Sequence, residues 1–183
     1  MEAGHLLPAR LDAEAAVLGT VTAALDSLGV REGVTHTEVI VTGSGPVRIV
    51  ETHPRQAGDR IPYLLRDARG GDVVEAPARQ SVGLVALAGA REQLAAAGGS
   101  FGAIWYATPP AVGEVVEVRG VDAVRARPGI SGVVVRSVQG SRLDAVTSSA
   151  ARPAHAWTEE ALELVRRAVA DLEFVVVVAG GDA

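Results

Sequence analysis

Two histidines and two glutamates flank one tight turn, and their spacing places them where they could share a ligand. Val34–Thr42 and Val47–Thr52 are rich in Val, Ile and Thr, and Gly43-Ser44-Gly45-Pro46 separates them. That pattern predicts a β-hairpin. A turn centred on Ser44 and Gly45 sets Glu38 opposite Glu51 and His36 opposite His53. Period-two alternation then puts all four on one face, with Val39, Val41, Arg48 and Val50 on the other. Carboxylates directly opposite each other lie ~5 Å apart and repel. Such a pair persists when it is solvated, shares a proton or holds a cation. Mg²⁺ favours carboxylate oxygens together with substrate phosphates. Two other readings of the same residues stay open: a solvated strand face with no ligand, and a transition-metal site for Fe²⁺ or Zn²⁺. If the strand runs on through Pro54, Arg55 extends the row Glu51, His53, Arg55 and offers a bidentate anion clamp. The chain then passes Gly58 into a helix N-terminus, a further anion-favouring feature. Metal carboxylates beside an anion clamp point to phosphoryl transfer.

The elements that must position these groups fit a chain of 183 residues with 48% hydrophobic content. That is enough for one domain with a small appendage. There is no Cys, which excludes disulfides and thiolate chemistry. The formal charge of −5 argues against a nucleic-acid partner. No apolar run is long enough to span a bilayer, and the opening residues lack the features of a secretion signal, so a cytoplasmic protein with no membrane contact is expected. All 17 basic residues are Arg, so no lysine is available as a base or phosphate clamp.

Residues 1–11 read as an extended opening segment. Asp12 is placed to cap a helix reaching Leu28, with Val17, Leu18, Val21, Leu25 and Leu28 on one stripe and Gly29 at its end. Asp59 is placed to cap a helix carrying Ile61, Leu64, Leu65 and Ala68 that Gly70 ends. Asp72 is placed to cap another helix to about Leu87, with Pro77 kinking or shortening it. Strands are expected at 101–107, 114–119, 132–138 and 173–178. Thr158-Glu159-Glu160 predicts the start of a helix to Leu172. His155 and Trp157 fall in a Pro/Ala-rich connection and read as local packing.

The run Gly33-Val34-Thr35-His36-Thr37-Glu38-Val39, followed by Gly45-Pro46-Val47, Ile49-Val50-Glu51-Thr52-His53-Pro54-Arg55 and Gly58, resembles the ATP-grasp carboxylate–amine ligases. The similarity is to their L-amino-acid ligase (dipeptide synthetase) branch. Glu2-Ala3-Gly4-His5 with Pro8-Ala9 looks like the segment before that branch's last catalytic helix. Thr108-Pro109-Pro110, Gly129-Ile130, Ser148-Ser149, Arg152 and Thr158-Glu159-Glu160-Ala161 look like its small C-terminal subdomain. The resemblance implies that ATP phosphorylates a substrate carboxylate and an amine attacks the acyl phosphate. It implies that Glu38 and Glu51 hold Mg²⁺ against ATP, with His53 as a further metal ligand where the family usually has Asn. It gives Arg55 the catalytic role of stabilising the transferring phosphoryl group. Glu2, His5 and Gly58 would contact the amino-acid or carboxylate substrate.

The fold expected is α+β: an ATP-grasp C-terminal half, mainly antiparallel sheet backed by helices, with a small α/β subdomain. Residues 1–88 would form the lobe carrying the hairpin and residues 89–183 the subdomain. The nucleotide-gripping N-terminal half of the family is absent from the resemblance. A ligase half therefore implies a separate N-terminal ATP-grasp subunit, a clipped reading frame or self-association. The alternatives are a non-catalytic remnant that binds a partner, and a stand-alone enzyme that reuses the His/Glu face.

Overall fold

A computed structural model describes residues 3–9, 11–43, 45–70, 73–84, 89, 92, 101–145 and 151–178. The chain divides into two units, Pro8–Gly99 and Met1–Leu7 with Ser100–Ala183.

The first unit opens with α1 (Glu14–Ser27), drawn from good helix formers. Ala13, not Asp12, occupies its cap position, and no side chain caps it. Glu14 in the first turn complements the helix dipole instead. Gly29, at φ 70°, closes the far end with its N–H on the Asp26 carbonyl. The apolar stripe is only partly covered, with Val17, Val21 and Leu25 half-buried. No residue of α1 is buried, and Leu18 and Leu28 are about 60% exposed (60% and 62%).

β2 (His36–Ile40) and β3 (Arg48–His53) form the antiparallel hairpin. The Gly45 N–H donates to the Thr42 carbonyl at 2.7 Å, which tightens the turn. Ile40 pairs with Arg48 and Val39 with Ile49. The register then slips by one residue, and Glu38 pairs with Glu51 and His36 with His53. Val50 is the extra residue of this β-bulge. It was expected on the covered face, yet it is 56% exposed, and the partly buried Ile49 takes that place.

α2 (Ile61–Arg69) buries Pro62, Leu64 and Ala68 and ends at left-handed Gly70. α3 (Glu75–Ser81) is shorter than the helix expected to reach Leu87. Pro77 does not kink it. It stands in the first turn, where its missing N–H would have had no helical acceptor. The stop comes from Gly83, at φ 77°, with Gly83 and Leu84 N–H groups returning to Gln80 and Arg79 carbonyls. Residues 85–88, Asp72 and Ser148-Ser149 lie outside the described residues.

The second unit holds two antiparallel sheets. One has the order β1 (Gly4–Leu7), β4 (Gly102–Tyr106), β8 (Ala154–Thr158), β6 (Gly132–Val135). The other has the order β7 (Arg142–Leu143), β5 (Gly113–Arg119), β9 (Glu173–Val177). Helices α4 (Val121–Arg125) and α5 (Leu162–Ala170) complete it. α5 packs on β4 and β8, and Val165, Ala168 and Val169 enter a core with Ala103, Val115, Leu143, Ala154, Ala156 and Phe174. Fully burying side chains of this size is worth ~1.5–3 kcal/mol each for Val, Leu and Phe.

Two expectations are corrected here. Residues 154–158 are not a connection but β8, a central strand. Its small Ala residues let α5 approach the sheet closely. Thr158 is also not a helix cap. Its hydroxyl donates to the Gly129 carbonyl at 2.5 Å and accepts from the Glu160 N–H at 3.1 Å, so it anchors the strand end, and α5 starts three residues after Thr158-Glu159-Glu160 would begin it.

Gly120 precedes α4 at φ 83°, and a Cβ there would meet the Asp171 carbonyl oxygen. Positive φ costs an L-residue roughly 1–2 kcal/mol, and overpacking adds about 1–3 kcal/mol. Gly120→Ala is therefore expected to lower unfolding free energy by about 2–5 kcal/mol, read from urea midpoints. Gly19 lies inside α1 with nothing near its missing Cβ. Gly19→Ala should raise stability by about 0.5–1 kcal/mol in the same assay.

Candidate functional site: a histidine–glutamate cluster on a hairpin

The bulge at Val50 determines what meets on the hairpin. Beyond it, Glu38 stands across from Glu51 and His36 across from His53. Each carboxylate also has an imidazole beside it. His36 Nε2 lies 3.2 Å from Glu38 Oε1, and His53 Nε2 lies 3.1 Å from Glu51 Oε1. Between these residues, on the other face, the Thr37 and Thr52 hydroxyls are hydrogen-bonded at 2.7 Å, which pins the register. One ligand atom from each of His36, Glu38 and Glu51 lies within 4.8 Å of the others. Donors ~2.1 Å from a shared ion are at most ~4.2 Å apart, so small side-chain rotations would close these three on a cation. The two carboxylates suit a divalent cation that also takes phosphate oxygens. His53 is outside this mutually close trio and contacts it through Glu51.

Arg55 does not extend the row. β3 ends at His53, because Pro54 has no N–H for the ladder and redirects the chain. The exposed Arg55 guanidinium donates to the Gln56 carbonyl at 2.9 Å. Gly58 is exposed, and its carbonyl accepts the Ile61 N–H. Asp59 is not the cap expected of it. Asp59 and Arg60 are both left-handed, at φ 52° and 62°, and Arg60 occupies the cap position of α2. Two successive non-glycine residues in that region cost roughly 1–3 kcal/mol each, a strain that tends to collect beside ligand-binding segments. Arg60 and Arg66 each place a guanidinium 5.2 Å from the Tyr63 ring centre.

His5 belongs to the other unit, on β1 paired with Ile104 of β4. It packs edge-on to Tyr106 at 5.7 Å, and Tyr106 also contacts His155 at 5.6 Å. The Arg152 guanidinium lies 4.1 Å from the Tyr106 ring centre, and Arg152 is 3% exposed. This buried polar and aromatic set was not legible beforehand, because Arg152 and His155 come together with Tyr106 only once 154–158 pairs as a strand. Glu2 lies outside the described residues.

Residues 105–177, which run from β4 to β9, match the L-amino acid ligase C-terminal domain 2 family. Among solved structures, the chain is similar to the L-amino acid ligase from Bacillus licheniformis. The TM-score is 0.78 at 17% identity, over 97% of this chain and 45% of that one. It has the fold of a C-terminal ATP-grasp half. Phosphoribosylglycinamide synthetase from Anaerococcus prevotii shares this ATP-grasp half at a TM-score of 0.71 and 14% identity, over 96% of this chain and 45% of that one. N5-carboxyaminoimidazole ribonucleotide synthetase from Thermotoga maritima shares it at a TM-score of 0.61 and 17% identity, over 95% and 46% of the two chains. The chain thus spans a little under half the length of these structures. A comparison with curated protein sequences gives no match. No helix among the described residues is long and apolar enough to cross a membrane.

The Thr37–Thr52 bond helps hold the register of the hairpin. Thr52→Val should leave the Thr37 hydroxyl without this partner and lower stability by about 1 kcal/mol. The double substitution Thr37→Val/Thr52→Val should cost less than the sum of the two singles, as a urea double-mutant cycle would show.

Proposed function

We propose that this chain is the C-terminal half of an ATP-dependent carboxylate–amine ligase that joins an amino acid to an amine through an acyl phosphate. The observation that carries this reading is the pairing of Glu38 with Glu51, with His36 beside them, on the hairpin of an ATP-grasp fold. Glu38 and Glu51 hold the divalent cation that accompanies ATP. When bound, that cation neutralises phosphate charge during phosphoryl transfer. Arg55 leaves its neighbour's carbonyl and turns its guanidinium to the phosphoryl group or the acyl phosphate. Gly58, on the loop that follows the hairpin, contacts the substrate.

A complementary half supplies the nucleotide-gripping lobe. The exposed Leu18 and Leu28, on and beside α1, offer apolar surface to it. A second reading is a non-catalytic module that binds a partner. Tight binding of Mg²⁺–ATP by the chain alone would count against that second reading.

The test is ADP release from ATP, an amino acid and an amine, with this chain, with an ATP-grasp N-terminal half, and with both. Release is expected only from the mixture, and Glu51→Gln should cut it on the order of 100-fold. Release that is unchanged by Glu51→Gln would remove the assigned site.

A further inference from the structure

We infer that the hairpin cluster is a nitrogen-containing metal centre, ligated by His36, Glu38 and Glu51, that selects a transition ion of the Mn²⁺-to-Zn²⁺ series over Mg²⁺. His53 is a positioning residue that holds Glu51. The inference rests on the cluster used in the ligase reading but needs neither ATP nor a second half.

Three observations lead to it. First, the side chains that converge are one imidazole and two carboxylates, with ligand atoms within 4.8 Å of one another. Mg²⁺ keeps an oxygen shell and dehydrates reluctantly, whereas imidazole suits Zn²⁺, Fe²⁺ and their neighbours. Second, His36 is the most enclosed member. Its side chain is 18% exposed, against 39% for Glu38 and 46% for Glu51. An imidazole on a paired strand and mostly enclosed has fewer alternative positions to give up on binding, and what it exchanges is its contact with Glu38. Third, the two histidines are not equivalent. His36 joins the trio, whereas His53 contacts the Glu51 carboxylate at 3.1 Å and so fixes the direction of its oxygens. Outer partners that contact a ligating group in this way are worth 10–100-fold in metal affinity.

Ligation requires His36 in the tautomer with hydrogen on Nδ1, leaving the Nε2 lone pair for the ion. Glu38 Oε1 then exchanges its contact with His36 Nε2 for one with the cation.

The full chain is titrated by calorimetry with Mn²⁺, Zn²⁺ and Mg²⁺, and the Mn²⁺ form is examined by pulsed EPR for ¹⁴N coupling. Mn²⁺ and Zn²⁺ should each bind at least about 10-fold more tightly than Mg²⁺, and ¹⁴N coupling should be present. His36→Ala should abolish the coupling and bring Mn²⁺ and Zn²⁺ affinities to within about 10-fold of the Mg²⁺ affinity of the same variant. His53→Ala should weaken Mn²⁺ binding by about 10-fold or more and keep the coupling. Circular dichroism and urea midpoints establish that each variant is folded. His36→Gln, which keeps a polar group on the strand, repeats the test if His36→Ala is not folded. Equal affinity for Mg²⁺ and Mn²⁺, absence of ¹⁴N coupling, coupling that survives loss of His36, or no binding of any ion would each overturn the inference. None of these outcomes decides whether ADP is released by the two halves together. Conversely, failure of ADP release leaves the metal preference standing.

Discussion

One residue of slippage between two strands controls what the hairpin can do. Side chains alternate across a strand, so a shift of a single position sends every group to the opposite face. Glu38 meets Glu51 because Val50 is inserted beyond the turn and the strands re-pair after it. The Thr37–Thr52 bond then holds that alignment between the two functional pairs. With the pairing of Ile40 and Arg48 continued unchanged, the acidic groups would be out of step. Charge, metal affinity and the proposed chemistry all follow from this local choice of register.

The alignment also explains why the cluster is tolerable before any ligand arrives. Two carboxylates facing each other are unfavourable, but each has a histidine close by. The cost is spread over four groups rather than concentrated in one pair. The same groups are thereby kept near the geometry a cation would need, so binding requires little reorganisation.

Much of this was readable from residue order. The hairpin, its turn and the facing glutamates were anticipated, as were α2 and the strands β4, β5 and β9. The turn was centred one residue too late, and the bulge compensated. That compensation is set by backbone pairing, which leaves no mark in the alternation of side-chain types. β8 escaped because Ala154-His155-Ala156-Trp157 lacks the β-branched signature of a strand. A central strand buried on both faces, with a helix lying against it, rewards small residues instead. β1 escaped for a related reason: Gly4–Leu7 becomes a strand only by pairing with Gly102–Trp105, far along the chain. Arg55 failed for a purely local reason, since the ladder could not continue past Pro54. Residue order places His36 and His53 alike on the face of Glu38 and Glu51, and only the distances and burial distinguish His36 as the member of the close trio.

The exposed Leu18 and Leu28, on and beside α1, have a consequence for thermodynamics. An isolated helix of 14 residues is marginal in water, and this one draws only partial help from a half-buried face that meets β3. Any surface that caps it binds the ordered state alone, so mass action couples the helix–coil balance to the concentration of that surface. At 100 times its dissociation constant, such a surface would add about 2.7 kcal/mol to folding. With such a surface present, the melting temperature would depend on the mixture, and amide exchange along α1 would report how much of the surface is there.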